Sequence, residues 1–296
     1  MTAAWKFFPV RVREVTRLSP SFTRVTFTGD DLGHFADNGY DQRIKLIVPL
    51  AGSGVSAMPT GADWFTEWRA LPEAARNPVR TYTVRAVRPA LAEVDVDLVL
   101  HGDGAGPAGR WALAAAVGDE LLLLGPDARH DGPHGGLEFH PPADATTVLL
   151  AGDETAVPAI AGILERMPAH LTGEVVLEVP HDGDVLDLAG PPGVTVTWLA
   201  REDAAHGAAL RAAVEAAAGR LVDARPGAAV TDIDVDSEIL WEVPEEPAPA
   251  GGVYAWIAGE AAVVRTLRRH LVTDRGLDRR SVAFMGYWRL GRSETD

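Results

Sequence analysis

Two short stretches carry residues whose types and spacing suit the grip of a large phosphorylated cofactor. In RTYTVR, Arg80 can set a planar fork of donors on a phosphate. Beside it, Thr81 continues the strand, Tyr82 offers an aromatic plate, and Thr83 offers a hydroxyl within reach of a ring nitrogen. In HGDGAGPAGRW, running from His101 to Trp111, the small residues Gly104, Gly106, Pro107 and Ala108 make a turn into a helix start. Backbone N–H groups at such a turn can approach a pyrophosphate closely. Alone, the first stretch is an ordinary β-strand and the second an ordinary Gly/Pro turn. Joined by one alternating strand, they hold what a flavin dinucleotide needs: a phosphate clamp, a plate for the isoalloxazine and a polar contact to its ring.

The elements that must position these residues fall into two patterns. Up to residue 143 the chain reads as short strands: RVREVTRL, SFTRVTFTG, RIKLIVPL, RTYTVRAVR, AEVDVDLVL and ELLLLGP. In AEVDVDLVL, Val94, Val96, Leu98 and Leu100 share one face and Asp95 and Asp97 the other. Pro107 opens a short helix ahead of the last of these strands. This spacing predicts a small closed antiparallel β-barrel. Residues 51–79, rich in Gly, Ser and Pro, read as a surface insertion with a short helix around Trp64 to Leu71. From 144 to 296 strands alternate with helices, from TTVLLAG to SVAFMGYW, which predicts a parallel sheet with a ligand crevice at the strand C-termini. The acidic, Pro-rich segment 222–250 reads as a solvated surface loop, with a lid over the cofactor cleft as the alternative.

Composition narrows the function. The 296 residues suffice for two domains, and 47% are hydrophobic. A net charge of −15 argues against a nucleic-acid partner. The absence of cysteine excludes disulfides, Cys-ligated iron–sulfur clusters and thiol catalysis. His130, His134 and His140 share a Gly/Pro-rich loop without the spacing of a metal site, so no metal is expected. No signal sequence or membrane span is apparent, and a cytoplasmic monomer without membrane insertion is the expectation.

RTYTVR, HGDGAGPAGRW, AGDETAVPAI (151–160) and MGYWRLGR (285–292) together resemble the siderophore-interacting proteins, FAD-dependent ferric-siderophore reductases related to the ferredoxin-NADP reductases. The resemblance runs over nearly the whole chain. It implies an antiparallel flavin-binding barrel followed by a nicotinamide-nucleotide domain, with FAD as cofactor, NADH or NADPH as electron donor and an iron(III)-siderophore as substrate. It places Asp153 and Thr155 at the first strand-to-helix turn of the second domain, and Gly259 and Glu260 at a turn that in related reductases receives the nicotinamide. Tyr287 and Trp288 end the last strand, where an aromatic could cover the flavin. In the wider superfamily the first turn is richer in glycine; Asp153 and Glu154 stand here instead. Lys45, Arg129 and Arg289 match positions where the family sets basic groups for an anionic chelate. No side-chain acid or base is required for electron transfer. After the second strand of the nucleotide domain stand Asp182, Asp184 and Asp187, which disfavours a 2′-phosphate, unless Arg201 on the next strand supplies a cation. Two alternatives stay open: a reductase of free flavin or quinone, and a non-catalytic siderophore-binding carrier.

Overall fold

The computed structural model describes residues 2–100, 106–223, 227–228, 230, 233–235, 239–244 and 252–291. The chain divides into two compact units, one up to Gly136 and one from Leu137 on.

The first unit is built on a seven-stranded antiparallel sheet. Its strands are β1 (Trp5–Arg17), β2 (Phe22–Thr28), β3 (Arg43–Ile47), β4 (Val79–Thr83), β5 (Ala86–Arg88), β6 (Glu93–Val99) and β7 (Glu120–Pro126). They lie in the order β4-β3-β7-β1-β2-β6-β5. Alternation sends Phe8, Val25, Phe27, Leu46, Val96 and Leu98 into one core. The sequence predicted a closed barrel; the sheet is open, with β4 and β5 as its edges. RTYTVRAVR is two strands rather than one, because the chain changes partner at Val84 and Arg85. The Val84 amide donates to Gln42 O, and the Arg85 amide to Asp95 O on the opposite side of the curl. The chain itself thus bridges the gap that no ladder closes.

Asp95 and Asp97, on the face of β6 opposite its valines, are buried. Asp95 accepts the Arg88 fork at 2.6 and 2.7 Å and the Thr26 hydroxyl, and Asp97 accepts the Arg24 fork. Burial pushes Asp95 up, but Arg88 and Thr26 more than offset it and leave the carboxyl below its ordinary value. The 51–79 segment is not a plain surface insertion. Its helix α1 (Trp64–Ala70) folds Trp68 and the nearby Met58 onto Ile47, Leu122 and Leu124, the outer face of the sheet. Trp68 Nε1 donates to Asn77 O, and buried Asn77 donates to Val48 O and Gly54 O. The apolar side chains of β3 and β7 point both ways, so the outer face also needs a cover. Helix α2 (Pro107–Ala114) begins with Pro107 and is anchored by Trp111, which stacks on Phe27 at 6.2 Å.

The second unit has β8 (Thr147–Gly152), α3 (Val157–Arg166), β9 (Thr172–Val179), β10 (Val194–Ala200), α4 (Ala208–Leu221), β11 (Trp241–Glu242), β12 (Val253–Glu260), α5 (Ala261–Arg269) and β13 (Val282–Trp288). The sheet order is β10-β9-β8-β12-β13-β11. The first five are parallel, as predicted, and the strand order reverses between β8 and β12. In such sheets ligands bind outside the strand C-termini at that reversal. The 222–250 segment is not wholly a solvated loop: Val235 and Leu240 are buried, and β11 pairs antiparallel with β13 as an edge strand. The apolar residues scattered among its acids, Leu240 and Trp241 among them, account for this. No helix among the described residues is long and apolar enough to cross a membrane.

Trp68→Ala is expected to destabilise the first unit by about 3 kcal/mol, read as a shift of its denaturant midpoint. A change within about 0.5 kcal/mol would return residues 51–79 to the status of a solvated insertion.

Candidate functional site

In the first unit, β4 is an edge strand, so one side of its backbone is not paired in the sheet. Its register opposite β3 sets Arg80 across from Leu46 and Tyr82 across from Ile44. Directly opposed residues share a face; Arg80 and Tyr82 therefore lie on one face of the strand, and Tyr82 packs against the core. Thr81 and Thr83 lie on the other face, where Thr83 is buried. Lys45 is across from Thr81 and donates to its hydroxyl at 2.6 Å. Arg80 is half-buried, with Nη1 donating to Val79 O at 2.9 Å.

The start of α2 is the second feature that the sequence singled out in this unit. Its N-cap is Gly106, extended at φ −64° and ψ −178°, which has no side chain to turn back on the helix. A Cβ there would meet nothing within 4 Å. The Arg110 amide makes the first helical bond, to Gly106 O, which leaves the amides of Ala108 and Gly109 at the helix start. A helix start with no side-chain cap among the described residues, a guanidinium and an aromatic plate are the donors and surface a flavin dinucleotide takes, and the residues fit that group. His101 and Gly104 lie outside the described residues. Trp111 serves the core.

The crevice edge of the second unit has the opposite character. Asp153, directly after β8, is fully buried. Its Oδ1 accepts from Thr155 N at 2.9 Å and from the Thr155 hydroxyl; its Oδ2 accepts from Glu260 N and Trp288 Nε1, each at 2.8 Å. Gly259 makes room for it: φ is 144°, and a Cβ would sit 2.6 Å from Asp153 Oδ2. Glu154, also buried, accepts the Arg201 fork at 2.9 and 3.0 Å. Glu178, fully buried on β9, accepts from the amides of Gly207 at 2.7 Å and Leu210 at 3.0 Å, at the start of α4. Glu260 caps α5, its Oε2 accepting from Ala262 N at 2.8 Å and Val263 N at 3.0 Å. His206 Nε2 lies 3.5 Å from Asp153 Oδ2 and 3.8 Å from Glu154 Oε2, and its ring meets the Trp288 indole edge-on at 5.0 Å.

Burial, and then the Glu154 charge, push Asp153 up to about 6. For Glu154 burial acts upward too, but His206 and Arg201 outweigh it and hold the carboxyl below its ordinary value. His206 is raised: burial opposes its charge, and the two neighbouring carboxylates more than compensate.

The other residues singled out in the sequence have separate surroundings. Tyr287 stacks on Trp241 at 5.8 Å and meets Trp256 edge-on, whereas its neighbour Trp288 is held at the crevice by Asp153. Arg129 is committed to buried Asp127 through Nε and Nη2. Arg289 follows β13 and is half-buried. His130, His134 and His140 bond to the carbonyls of Thr2, Asp127 and Leu137. Arg201 does not reach outward for a 2′-phosphate; it is spent on Glu154 and Glu178. His206, Glu178 and Arg201's true partners were not legible in the sequence, since each lies on a different element. The one signal was a histidine just before Gly207 at a helix start.

Comparison with known proteins accords with both halves. Residues 11–130 match the siderophore-interacting FAD-binding domain, and residues 145–291 the siderophore-interacting protein model. Over 279 residues, 94% of the chain, it is 33% identical to the ferric vibriobactin reductase ViuB of Vibrio cholerae, of which 87% is covered. The chain belongs to the siderophore-interacting protein family. The crystal structure of a siderophore utilization protein from T. fusca superposes with a TM-score of 0.73 at 30% identity, covering all of this chain and 97% of that one. The ferredoxin reductase of carbazole 1,9a-dioxygenase, 16% identical, superposes with a TM-score of 0.58 over 96% of this chain and 70% of its own, and shares the fold. The expected antiparallel flavin domain followed by a parallel-sheet domain is thus the fold of this family member.

The protonated His206 ring stabilises the fold. That contribution is complete below about pH 6.5, the ordinary histidine value, and is lost as pH rises through the raised folded-state value. His206→Gln is expected to flatten the decline of Tm over that window. An unchanged slope would place the titration elsewhere.

Proposed function

We propose that this protein is an FAD-dependent ferric-siderophore reductase, which takes electrons from a reduced nicotinamide and delivers them to siderophore-bound iron(III) in the cytoplasm. The observation that carries the reading is that one unit holds both an α2 start with no side-chain cap among the described residues and a strand with Arg80 and Tyr82 on one face, in a chain related along nearly its full length to a ferric vibriobactin reductase. Arg80 and the Ala108 and Gly109 amides would hold the pyrophosphate, and Tyr82 would lie along the ring system. FAD supplies the conversion of a two-electron donor into single-electron transfers. The chain's residues bind and orient; none need move a proton to the iron. Iron(II), softer than iron(III), is held less well by the hard oxygen ligands of a siderophore and leaves. For the anionic chelate we propose Lys45 and Arg289 as attracting charges, with Arg129 the weakest of the three because Asp127 already neutralises it.

Arg80→Ala should weaken FAD retention by ~1.5–3 kcal/mol, the worth of a charge-assisted contact, without lowering the Tm of the apoprotein. Equal affinity in a fluorescence titration would remove Arg80 from the clamp. NADPH should not be preferred over NADH in steady-state kinetics, because Asp182, Asp184 and Asp187 follow β9 and Arg201 is internally paired. A strong NADPH preference would contradict this reading.

A further inference from the structure

Helix starts at the C-terminal edge of a parallel sheet ordinarily receive the pyrophosphate of a dinucleotide through their unpaired amides. In this chain the starts of α4 and α5, and the short turn ahead of α3, are met by its own carboxylates. Asp153 takes Thr155 N in the turn leading into α3, Glu178 takes the Gly207 and Leu210 amides at α4, and Glu260 takes the Ala262 and Val263 amides at α5. Asp153 and Glu178 are fully buried and Glu260 is 7% exposed, so the caps are built in rather than draped over the surface. Glu154 adds a fourth carboxylate at the same edge. The cations facing them are Arg201, whose guanidinium is divided between Glu154 and Glu178, and His206. The balance is negative where an incoming pyrophosphate would bring further negative charge, and amides that would receive it at α4 and α5 are taken. Like charges brought together in this way suppress a partner. Helix α2 in the first unit has Gly106 at its N-cap and no side-chain cap among the described residues.

We infer that Asp153, Glu178 and Glu260 are specificity-determining residues that deny the second unit's helix starts to a dinucleotide pyrophosphate, so that the electron donor is selected by its nicotinamide end and not by its adenosine diphosphate half. This rests on the reading that a reduced nicotinamide is the donor. It also accounts for Trp288: an indole pinned through Nε1 to Asp153, with His206 against its edge, is a fixed wall at the crevice.

The test uses the FAD-loaded protein. ADP-ribose, which carries the pyrophosphate without nicotinamide, is titrated by calorimetry, and anaerobic flavin reduction by NADH is compared with reduction by reduced nicotinamide mononucleotide. We expect no ADP-ribose binding at millimolar concentration and second-order rate constants for the two donors within about threefold of each other, far below the ~tenfold that 1.4 kcal/mol of pyrophosphate binding would give. Glu260→Gly, which opens α5 at a position where glycine is tolerated, should acquire detectable ADP-ribose binding. Submillimolar ADP-ribose binding by the unaltered protein, or NADH faster by a hundredfold with ADP-ribose competing, would overturn the inference. A folded Glu260→Gly protein that still ignores ADP-ribose would remove Glu260 from it; should that variant not fold, the titration and the donor comparison on the unaltered protein decide. If neither donor reduces the flavin, the nicotinamide reading fails, while the titration still judges the helix starts.

Discussion

The second unit depends on one constraint, the burial of the Asp153 carboxylate. An ionised carboxylate out of water is costly unless every lone pair finds a donor. Here the donors come from Thr155 in its own turn, Glu260 at the end of β12 and Trp288 at the end of β13. Satisfying Asp153 therefore fixes the register of three elements across the point where the strand order reverses. Gly259 is required because a side chain there would collide with that carboxylate. His206 and Arg201 are drawn in by the surplus negative charge of Asp153 and Glu154, which places the α4 start, and Glu178 then secures it.

The first unit solves a different problem. Its sheet curls without a closing ladder, and the step from β4 to β5 at Val84 and Arg85 joins the two edges. That leaves β4 with a backbone side outside the ladder, next to Arg80 and Tyr82. The outer face of β3 and β7 is covered by Trp68, and the far face of β6 by Arg24 and Arg88 on its aspartates. The two units thus differ in how they treat a helix start. Gly106 presents one without a side chain, whereas Glu178 and Glu260 fill the starts of α4 and α5 and Asp153 the turn ahead of α3.

Much of this was legible in the sequence because it is local. Alternation located the strands of both units, and Pro107 marked the start of α2 as read. The grouping of Arg80 with Tyr82 follows from strand period alone. What was not legible depends on contacts between distant residues. Trp68 in a Gly- and Pro-rich stretch looked exposed until its partners Leu122 and Leu124 were placed beside it. Leu240 and Trp241 sat in an acidic segment whose average composition hid an edge strand. Asp97 alternates as a solvent-facing residue should, yet Arg24, on a neighbouring strand, takes it out of water. The carboxylate cluster draws on six elements, so no window of sequence could contain it.

The most direct measurement is single-turnover re-oxidation. The FAD-loaded protein is reduced stoichiometrically without oxygen, mixed with a ferric siderophore in a stopped-flow instrument, and iron(II) is trapped by a chelator while the flavin spectrum is followed. A reductase of the kind described re-oxidises in step with the appearance of about two iron(II) per flavin, since the flavin passes on its electron pair singly, and does so faster with the chelate than with free flavin or a quinone. Flavin that stays reduced in the presence of the chelate, or that is discharged only by quinone or free flavin, would contradict the account.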